Sequence, residues 1–521
     1  MITYDVSPEG YRHWVLTVDP PVATLTLGGD AEPGDDGRQG TDEAEAQLAS
    51  LLRVDIELSD ALQRLRFEYP DVSAVVVTGA TNQAFSTGIA EIPPGAAADV
   101  VVNLWTFRSE VRCAIEDASA NSGLHWLAAL NGSAIGCGYE LALATDEIVL
   151  VDDGRSAVAL PEDGAGELPP TGGLARLVGK RHVRPDLIDS FCCCPEGVSG
   201  DRAAQWGLVD LTAPEHCFKE TVEDRARKGA GSSRRGLASE AVQLGPLLRE
   251  EFDGGFAYPN VRADIDREAA AAIVTIVGPA DHECFAPEPG PRRLRSRWWP
   301  LAVCRELDDA LLLLRSCRPE VHSLVLRTEG DPLAAASADV AMTSGYEHDW
   351  FVREVVHFWK RTLKRVDLAW QSVIALVEPG SCFVGTLLEL ALAADRTYMV
   401  DGTAPDDSEG RPAELLLTGM NFGLLPRASG LTRLESRFLD RSDHVAALAQ
   451  RVGDPITAAE AVGVGLVTEA VPPAEWEART RRAIKERAGL TNACRAGLAV
   501  ALGGAGPETL ETKIFSRRPL R

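Results

Sequence analysis

Two kinds of hydrophobic pattern alternate along the first half of the chain. Short runs rich in β-branched residues predict strands at 22–27, 74–78, 127–130 and 148–151. Longer stretches with apolar residues at three- and four-residue intervals predict helices between them, for example at 54–67 and 139–144. Strands that alternate with helices in this way are typical of an α/β fold, because parallel strands need crossover connections.

The second half of the chain repeats this order of elements. Its pattern predicts strands at 273–277, 324–326, 374–377 and 397–400, with helices at 301–314 and 387–394. The sequence Glu-Leu-Ala-Leu-Ala-Thr-Asp at 140–146 returns as Glu-Leu-Ala-Leu-Ala-Ala-Asp at 389–395. A match of this length at equivalent places in both halves indicates duplication followed by divergence.

The length of the chain fits two domains. Its 521 residues exceed what one hydrophobic core of ordinary size contains. We therefore predict one domain at 1–254, which carries the candidate site, and a degenerate second domain at 255–521. The segment 229–236, rich in Gly, Ser and Arg, predicts a flexible basic linker within a hinge region at 226–255.

Composition and charge exclude several partners. With 52 basic and 77 acidic residues the formal net charge is -25, which repels nucleic acid and anionic membrane surfaces. Eleven cysteines without regular spacing favour reduced thiols, and no apolar run is long enough to span a membrane or target the chain for export. A cytoplasmic location is expected. Nine histidines show no metal-binding spacing, so we expect no metal.

Two glycine-containing turns are candidates for binding negative charge. The first, 85–91, follows a predicted strand, and its glycine permits a backbone N–H to point at a ligand. The second, 131–140, enters a helix, where unpaired N–H groups and the helix dipole favour negative charge. Two such donors are what the enolate oxyanion of a thioester needs. Each turn taken alone also fits a tight connection without a ligand.

Two glutamates are candidates for proton transfer. Glu140 lies near the start of the helix after the second turn, and Glu162 lies in the sequence Ala-Leu-Pro-Glu-Asp. A pair of carboxylates near one carbonyl can divide the roles of general acid and general base. In isolation either residue also fits a solvated or capping side chain, and spacing does not decide between these interpretations.

The order of these motifs resembles the crotonase superfamily. The two turns, the two glutamates and the segment 168–174 follow one another as in that superfamily. The sequence around these motifs is similar to one branch, the benzoyl-CoA dihydrodiol lyases, across essentially residues 8–515. The stretches that carry this resemblance include Tyr-Arg-His-Trp at 11–14, Gly-Tyr-Glu-Leu-Ala-Leu-Ala at 138–144, Trp-Trp-Pro-Leu at 298–301, Glu-Pro-Gly-Ser-Cys-Phe at 378–383 and Gly-Pro-Glu-Thr-Leu-Glu at 506–511.

The resemblance implies a fold, a site and a reaction. The fold is a crotonase-like spiral of ββα repeats in two tandem domains. The backbone N–H groups of Ile89 and Cys137 take the oxyanion-hole positions, and Glu140 and Glu162 take those of the acid/base glutamates. Residues expected to contact substrate are Thr87, Gly88, Trp105, Gly136 and Gly138.

Members of this branch add water to an epoxide of benzoyl-CoA, cleave the ring and release formate. The resemblance therefore implies an acyl-CoA or another thioester as substrate, with coenzyme A as part of the substrate and no separate cofactor. It also implies a homo-oligomer, and the tandem arrangement of domains favours a dimer.

The sequence departs from the branch around the site. Cys137 stands where the branch has glycine, and Trp105 stands where it has a cysteine proposed to assist catalysis. Further departures lie at 89–91, 163–168 and Pro170. Two alternatives therefore stay open: hydration, isomerisation or decarboxylation of another acyl thioester, including one bound to a carrier, and a catalytically silent binding or assembly protein. For the second half, where Glu389 aligns with Glu140, we expect a structural copy.

Overall fold

The structure is a computed structural model of the chain. It describes residues 2–28, 41–81, 84–86, 98–162, 169–233, 235, 240–280, 283–284, 295–369, 371–403, 410–503 and 506–516. The chain divides into two compact units. The N-terminal unit contains Tyr4–Ala241 together with the helix that begins at Leu510, and the C-terminal unit contains Val242–Thr509.

The N-terminal unit contains two sheets. Its strands are β1 (Trp14–Asp19), β2 (Val22–Leu27), β3 (Ala74–Gly79), β4 (Ala84–Ser86), β5 (His125–Leu130), β6 (Ser133–Ile135), β7 (Glu147–Asp152), β8 (Ala157–Ala159), β9 (Val198–Ser199) and β10 (Leu211–Pro214). One sheet has the order β1-β2-β3-β5-β7-β10 and is parallel except between β1 and β2. The smaller sheet has the order β4-β6-β8-β9. Strands β3, β5 and β7 are almost continuously buried, as parallel strands covered on both faces require.

Helices of the N-terminal unit connect these strands. They are α1 (Thr41–Phe67), α2 (Ala98–Ser122), α3 (Cys137–Ala144), α4 (Gly173–Gly179), α5 (Pro185–Cys192), α6 (Gly200–Gln205) and α7 (Glu215–Ser232). The short helix α3 is buried from Gly138 to Ala144, which its run of leucine and alanine allows. Because α3 lies directly after the β5 and β6 strands, its first turn is fixed against the sheet.

The C-terminal unit repeats the strand and helix order around an eight-stranded sheet. Its strands are β11 (Glu250–Phe252), β12 (Gly255–Ala257), β13 (Val261–Asp266), β14 (Ala271–Val277), β15 (Ser323–Glu329), β16 (Ser372–Val377), β17 (Arg396–Val400), β18 (Leu415–Leu416), β19 (Pro455–Ile456) and β20 (Glu469–Val471). The large sheet has the order β11-β12-β13-β14-β15-β16-β17-β20, and β18 pairs with β19. Strands from β14 to β20 within it are parallel.

The remaining helices follow in chain order. They are α8 (Trp299–Cys317), α9 (Pro332–Gly345), α10 (Trp350–Asp367), α11 (Gly385–Ala393), α12 (Arg433–Arg437), α13 (Ser442–Ala449), α14 (Ala458–Gly463), α15 (Trp476–Ala488), α16 (Asn492–Gly503) and α17 (Leu510–Ser516). Helix α17 belongs to the N-terminal unit, where it packs on α2 and α4.

The predicted strands and short helices lie within a few residues of the observed ones, but the linker prediction at 229–236 is wrong. Residues 229–232 continue helix α7. Gly229 is buried against His125, and a Cβ at this position would lie 2.0 Å from the imidazole ring. Arg235 donates hydrogen bonds to the carbonyls of Leu65 and Arg66 at 2.9 Å. Gly229 and Arg235 therefore pack on the N-terminal unit.

The boundary between the units also differs from the predicted one at 254 and 255. It falls between Ala241 and Val242, because β11 pairs with β12 as part of the C-terminal sheet. Helix α17, which the sequence places in the second domain, joins the first. Among the described residues, no helix has the length and apolar character needed to cross a membrane.

Candidate active site

The carboxyl ends of β3 and β5 position the two turns singled out from the sequence. Asn131, which follows β5, accepts a hydrogen bond from the Gly79 N–H at 3.2 Å and donates one to the Gly79 carbonyl at 2.8 Å. Thr78 donates to the Ala129 carbonyl at 2.9 Å. These bonds hold the two strand ends together. The turns that leave them therefore start from fixed points at the edge of the sheet, where α/β folds commonly bind ligands.

The second turn ends at the N-terminus of α3. Gly136 caps the helix with φ +57°, a conformation that favours glycine, and its N–H donates to the Ala159 carbonyl at 2.9 Å. The N–H of Cys137, the first residue of α3, makes no hydrogen bond to any described residue. Gly138 is buried in the first turn. The geometry leaves the Cys137 N–H available to an acceptor outside the described protein groups.

Most of the first turn lies outside the described residues. Thr87, Gly88 and Ile89, which the sequence predicts as substrate contacts and first oxyanion donor, lie outside the described residues. Their roles stay predictions. The strand that leads into this turn, β4, pairs with β6, the strand that leads into α3. The chain therefore enters both turns from neighbouring strands.

A buried ion cluster lies behind Cys137. Asp55 bonds to Arg108 Nε at 2.7 Å and to Arg112 Nη1 at 2.9 Å, and all three side chains are buried. Arg108 also donates to Cys137 Sγ and Arg112 to the Cys137 carbonyl, each at 3.3 Å. The cluster places two guanidinium groups and the Asp55 carboxylate beside Cys137, and the Glu140 carboxylate is a second negative group acting on it.

The cluster sets the protonation of its members. Burial alone would raise the pKa of Asp55, but the two guanidinium groups hold it below its ordinary value. Burial raises the pKa of the Cys137 thiol, with Glu140 adding to the rise and Arg108 opposing it. Cys137 is therefore a neutral thiol at neutral pH.

Glu140 lies within the same helix and is fully buried. Its Oε1 accepts a hydrogen bond from the Gly173 N–H at 2.8 Å, and its Oε2 accepts one from the Thr171 hydroxyl. Arg176 fixes this arrangement, since its Nη1 donates to the Thr171 carbonyl at 2.7 Å while its other nitrogens bind Glu116. The carboxylate is thus held by neutral donors, with the nearest arginine engaged elsewhere, and each oxygen keeps acceptor capacity for a substrate or water.

The structure places Glu162 in a different environment. Its side chain is exposed after β8, and it makes no hydrogen bond or ion pair with any described residue. The residues that follow, 163–168, lie outside the described part of the chain. The expected pairing of Glu162 with Glu140 therefore stays a prediction.

Trp105 lines a small pocket of the N-terminal unit. Its indole is 8% exposed and lies 5.1 Å from the Arg108 guanidinium carbon, measured to the ring centre. The pocket has room for little more than one water molecule inside its walls. Its lining residues are Val102, Trp105, Thr106, Ser109, Pro170, Ile514 and Phe515. One of them, Pro170, directly precedes Thr171, the hydrogen-bond partner of Glu140.

Sequence reasoning missed the contribution of α17 to this pocket. Ile514 and Phe515 are buried in the N-terminal unit, and Ile514 Cγ1 would lie 2.7 Å from a Cβ at Gly172. The helix lies far along the chain from the other residues that line the pocket. Nothing near it in the sequence indicates which unit it joins.

Glu389, the counterpart of Glu140 in the C-terminal unit, is held by a cation. Its carboxylate accepts from Asn421 Nδ2 at 2.7 Å and from Arg433 Nη1 at 2.9 Å, and Arg433 also binds Asp367 at 2.7 Å. Burial raises the pKa of Glu389 although Arg433 opposes the rise. The carboxylate thus belongs to a buried ion-pair network of the core, which agrees with the expectation of a structural copy.

Comparisons with known proteins cover the region of the candidate site. The family model described as enoyl-CoA hydratase/isomerase matches residues 50–242, which contain Cys137, Glu140 and Glu162. The benzoyl-CoA-dihydrodiol lyase of Aromatoleum evansii is 43% identical to this chain, and the match covers 99% of this chain and 91% of the relative.

More distant relatives match the N-terminal half. The carnitinyl-CoA dehydratase of Citrobacter koseri is 26% identical over 172 residues, covering 33% of this chain and 62% of the relative. The crystal structure of an enoyl-CoA hydratase from Bacillus anthracis is 22% identical with a TM-score of 0.34, covering 42% of this chain and 78% of that one.

Proposed function

The chain belongs to the family of the benzoyl-CoA-dihydrodiol lyases, within the enoyl-CoA hydratase/isomerase or crotonase superfamily, and on this premise we propose that it opens the ring of an epoxidised aromatic acyl-CoA. The substrate is of the 2,3-epoxybenzoyl-CoA type. Two molecules of water are added, both ring bonds of one carbon are cleaved, and that carbon leaves as formate. The other product is an open-chain semialdehyde thioester one carbon shorter than the substrate acyl group.

The observation that carries this proposal is the identity of 43% over essentially the whole chain. The geometry supports it, because the buried Glu140 carboxylate and a Cys137 N–H without an acceptor among the described residues lie in the same helix of the N-terminal unit.

We assign the chemical roles as follows. Glu140 activates water toward the epoxide or its hydrated successor, and its two neutral donors hold the carboxylate in one orientation. Glu162 returns the proton from the solvent side. The N–H groups of Ile89 and Cys137 bind the thioester oxygen as it gains enolate character during carbon–carbon cleavage.

We propose that the reaction needs no metal and no redox cofactor, with coenzyme A entering as part of the substrate. Two molecules of water balance the conversion of the epoxidised acyl group to the semialdehyde and formic acid, so no external oxidant is consumed. Turnover should therefore survive dialysis against a chelator. We further propose a cytoplasmic homodimer, and light scattering of the purified protein measures its mass.

The test uses enzymatically generated 2,3-epoxybenzoyl-CoA and follows formate and new thioesters by mass spectrometry. The proposal predicts one formate for each substrate consumed, together with the shortened semialdehyde thioester. The matched control is Glu140→Gln, which keeps the size and hydrogen-bonding shape of the side chain and should bind substrate without turnover. Unchanged substrate with the wild-type protein contradicts the proposal.

A second candidate function is hydration, isomerisation or decarboxylation of another acyl thioester. The observation that favours it is Trp105, whose large indole occupies a pocket wall where the family has a cysteine. A panel of enoyl and aromatic thioesters distinguishes the candidates, since this alternative predicts turnover of a thioester that carries no epoxide. Binding of all thioesters without consumption would instead indicate a silent binding protein.

A further inference from the structure

The repeated sequence pairs each residue of α3 with one of α11. If Glu140 is matched with Glu389, the residue three positions earlier is Cys137 in the N-terminal unit and Thr386 in the C-terminal unit. Both residues lie at the N-terminus of a short buried helix that follows a central parallel strand. The backbone N–H of Thr386 is thus the counterpart of the donor proposed to bind the thioester oxygen.

This N–H is occupied by a carboxylate of the protein. Asp339 Oδ2 accepts a hydrogen bond from the Thr386 N–H at 2.9 Å and from the Thr418 hydroxyl at 2.7 Å, while Oδ1 accepts from the Thr386 hydroxyl at 2.6 Å. Asp339 is 3% exposed. Three hydrogen bonds and a helix N-terminus therefore surround one buried carboxylate, as donors surround an oxyanion.

Helix α9 delivers Asp339 to this N–H. The helix begins at Pro332, shortly after β15 ends at Glu329, and Asp339 lies in its middle. Its carboxylate reaches the start of α11, 47 residues further along the chain.

The neighbouring backbone has adapted to this carboxylate. Gly385 has φ +44°, and a Cβ at this position would lie 1.7 Å from Asp339 Oδ2 and 2.2 Å from Thr418 Oγ1. Only glycine allows the carboxylate to come so close to the start of α11. The fit leaves no room for a second ligand at the same N–H.

We propose that Asp339 is a built-in ligand, which fills the C-terminal unit's counterpart of the oxyanion site. The C-terminal unit is then closed to thioesters, and each chain binds one thioester, in the N-terminal unit. Because the group bound at this site is a carboxylate, a small carboxylate ion is the ligand that would replace the Asp339 side chain. This inference depends on the contacts of the C-terminal unit and not on which reaction the N-terminal unit performs.

The test removes the side chain and returns the carboxylate from solution. Asp339→Ala leaves a cavity beside the Thr386 N–H and should lower the melting temperature. Formate or acetate should then raise it by roughly 2–4 °C or more relative to sodium chloride at equal ionic strength, because a ligand that binds only the folded state stabilises it. The wild-type protein should show no such difference.

Asp339→Asn is the matched control, because it removes the charge but keeps the volume, so that no carboxylate can enter. Selective stabilisation of Asp339→Ala supports the proposal. Equal responses of the two variants, or an equal response to chloride, overturn it. If Asp339→Ala does not fold unaided, its refolding yield as a function of acetate concentration gives the same readout.

Equilibrium dialysis with benzoyl-CoA provides an independent measurement, since this thioester lacks the epoxide. One molecule bound per wild-type chain is the expected result, and two would overturn the inference. No binding at all would contradict the proposed function instead, and the carboxylate experiment would still decide the role of Asp339.

Discussion

Helices α3 and α11 share the sequence Glu-Leu-Ala-Leu-Ala, but their N-terminal N–H groups and their glutamates have different partners. At the start of α3 the Cys137 N–H has no acceptor among the described residues, whereas at the start of α11 the Thr386 N–H binds Asp339. Glu140 is held by a hydroxyl and an N–H, whereas Glu389 is bonded to Arg433. The repeat therefore preserves the helix and its glutamate. The elements that pack against the helix determine which of its groups stay available to a ligand.

The largest expected difference between the two helices is tested by replacing each glutamate with glutamine. Glu140→Gln should reduce formate release by about 10²–10⁴-fold, the range typical of losing a general acid or base. Glu389→Gln should leave turnover near the wild-type rate, because its carboxylate serves an ion pair of the core. Steady-state kinetics measures both, and melting temperatures show whether each variant is folded. Comparable losses in the two variants would contradict the division of tasks.

Gly385 gives the next largest expected effect, on stability. Gly385→Ala should lower the free energy of unfolding by about 3 kcal/mol or more, since it combines a left-handed backbone with a clash against Asp339. Gly380→Ala is the control, because Gly380 also has positive φ but has open space around a Cβ. It should cost about 1 kcal/mol. Denaturant titrations measure both, and equal losses would show that the close approach of Asp339 is unimportant.

Asp339 should also make stability depend on pH. Burial, with a smaller contribution from Glu389, raises the pKa of Asp339 from 3.8 to about 6 against its three hydrogen bonds. Between these values the folded state binds more protons than the unfolded state, so stability falls as pH rises through about 6. The rise corresponds to about 3 kcal/mol, present below about pH 4 and lost above about pH 6.

Denaturation of wild type and Asp339→Asn across this pH window measures the effect. The difference in stability between the two proteins should change with pH in the stated direction, since asparagine does not titrate. Glu389 and Arg433 face the same region, so Glu389→Gln serves as the control for titration of the neighbouring carboxyl. A difference that does not vary with pH would show that Asp339 has an ordinary pKa.

The smallest expected effect concerns the pocket wall. Phe515→Ala should lower kcat/KM for an aromatic thioester by about 10-fold, as removal of apolar contact in a binding pocket does. Leu510→Ala, at the other end of α17, contacts the Gly179 region and does not line the pocket, so it should leave kcat/KM close to wild type. If both variants lose the same activity, α17 acts through packing alone and Phe515 does not select the substrate.

Local patterns were sufficient to predict the central strands and the two copies of the helix. Strands β3, β5, β14 and β16 are runs of buried β-branched and aliphatic residues, and the repeated Glu-Leu-Ala-Leu-Ala places Glu140 and Glu389 on equivalent helices. These features depend on neighbours in sequence, which the sequence displays directly.

Features that depend on distant partners were not predictable. Asp339 and Thr386 are 47 residues apart, and nothing near Asp339 marks it as a ligand. The exposure of Glu162 and the packing of α17 on the N-terminal unit are likewise products of the tertiary fold. The predicted linker at 229–236 failed for the same reason, because its glycine fits against His125.

The position of α17 has a consequence for how the protein is made. A ribosome completes Tyr4–Ala241 long before it reaches Ile514 and Phe515, so the sheet of the N-terminal unit can form while its pocket still lacks one wall. The apolar surface of α2 and α4 that α17 covers stays exposed during synthesis of the intervening residues. The pocket is therefore complete only after α17 has been synthesised.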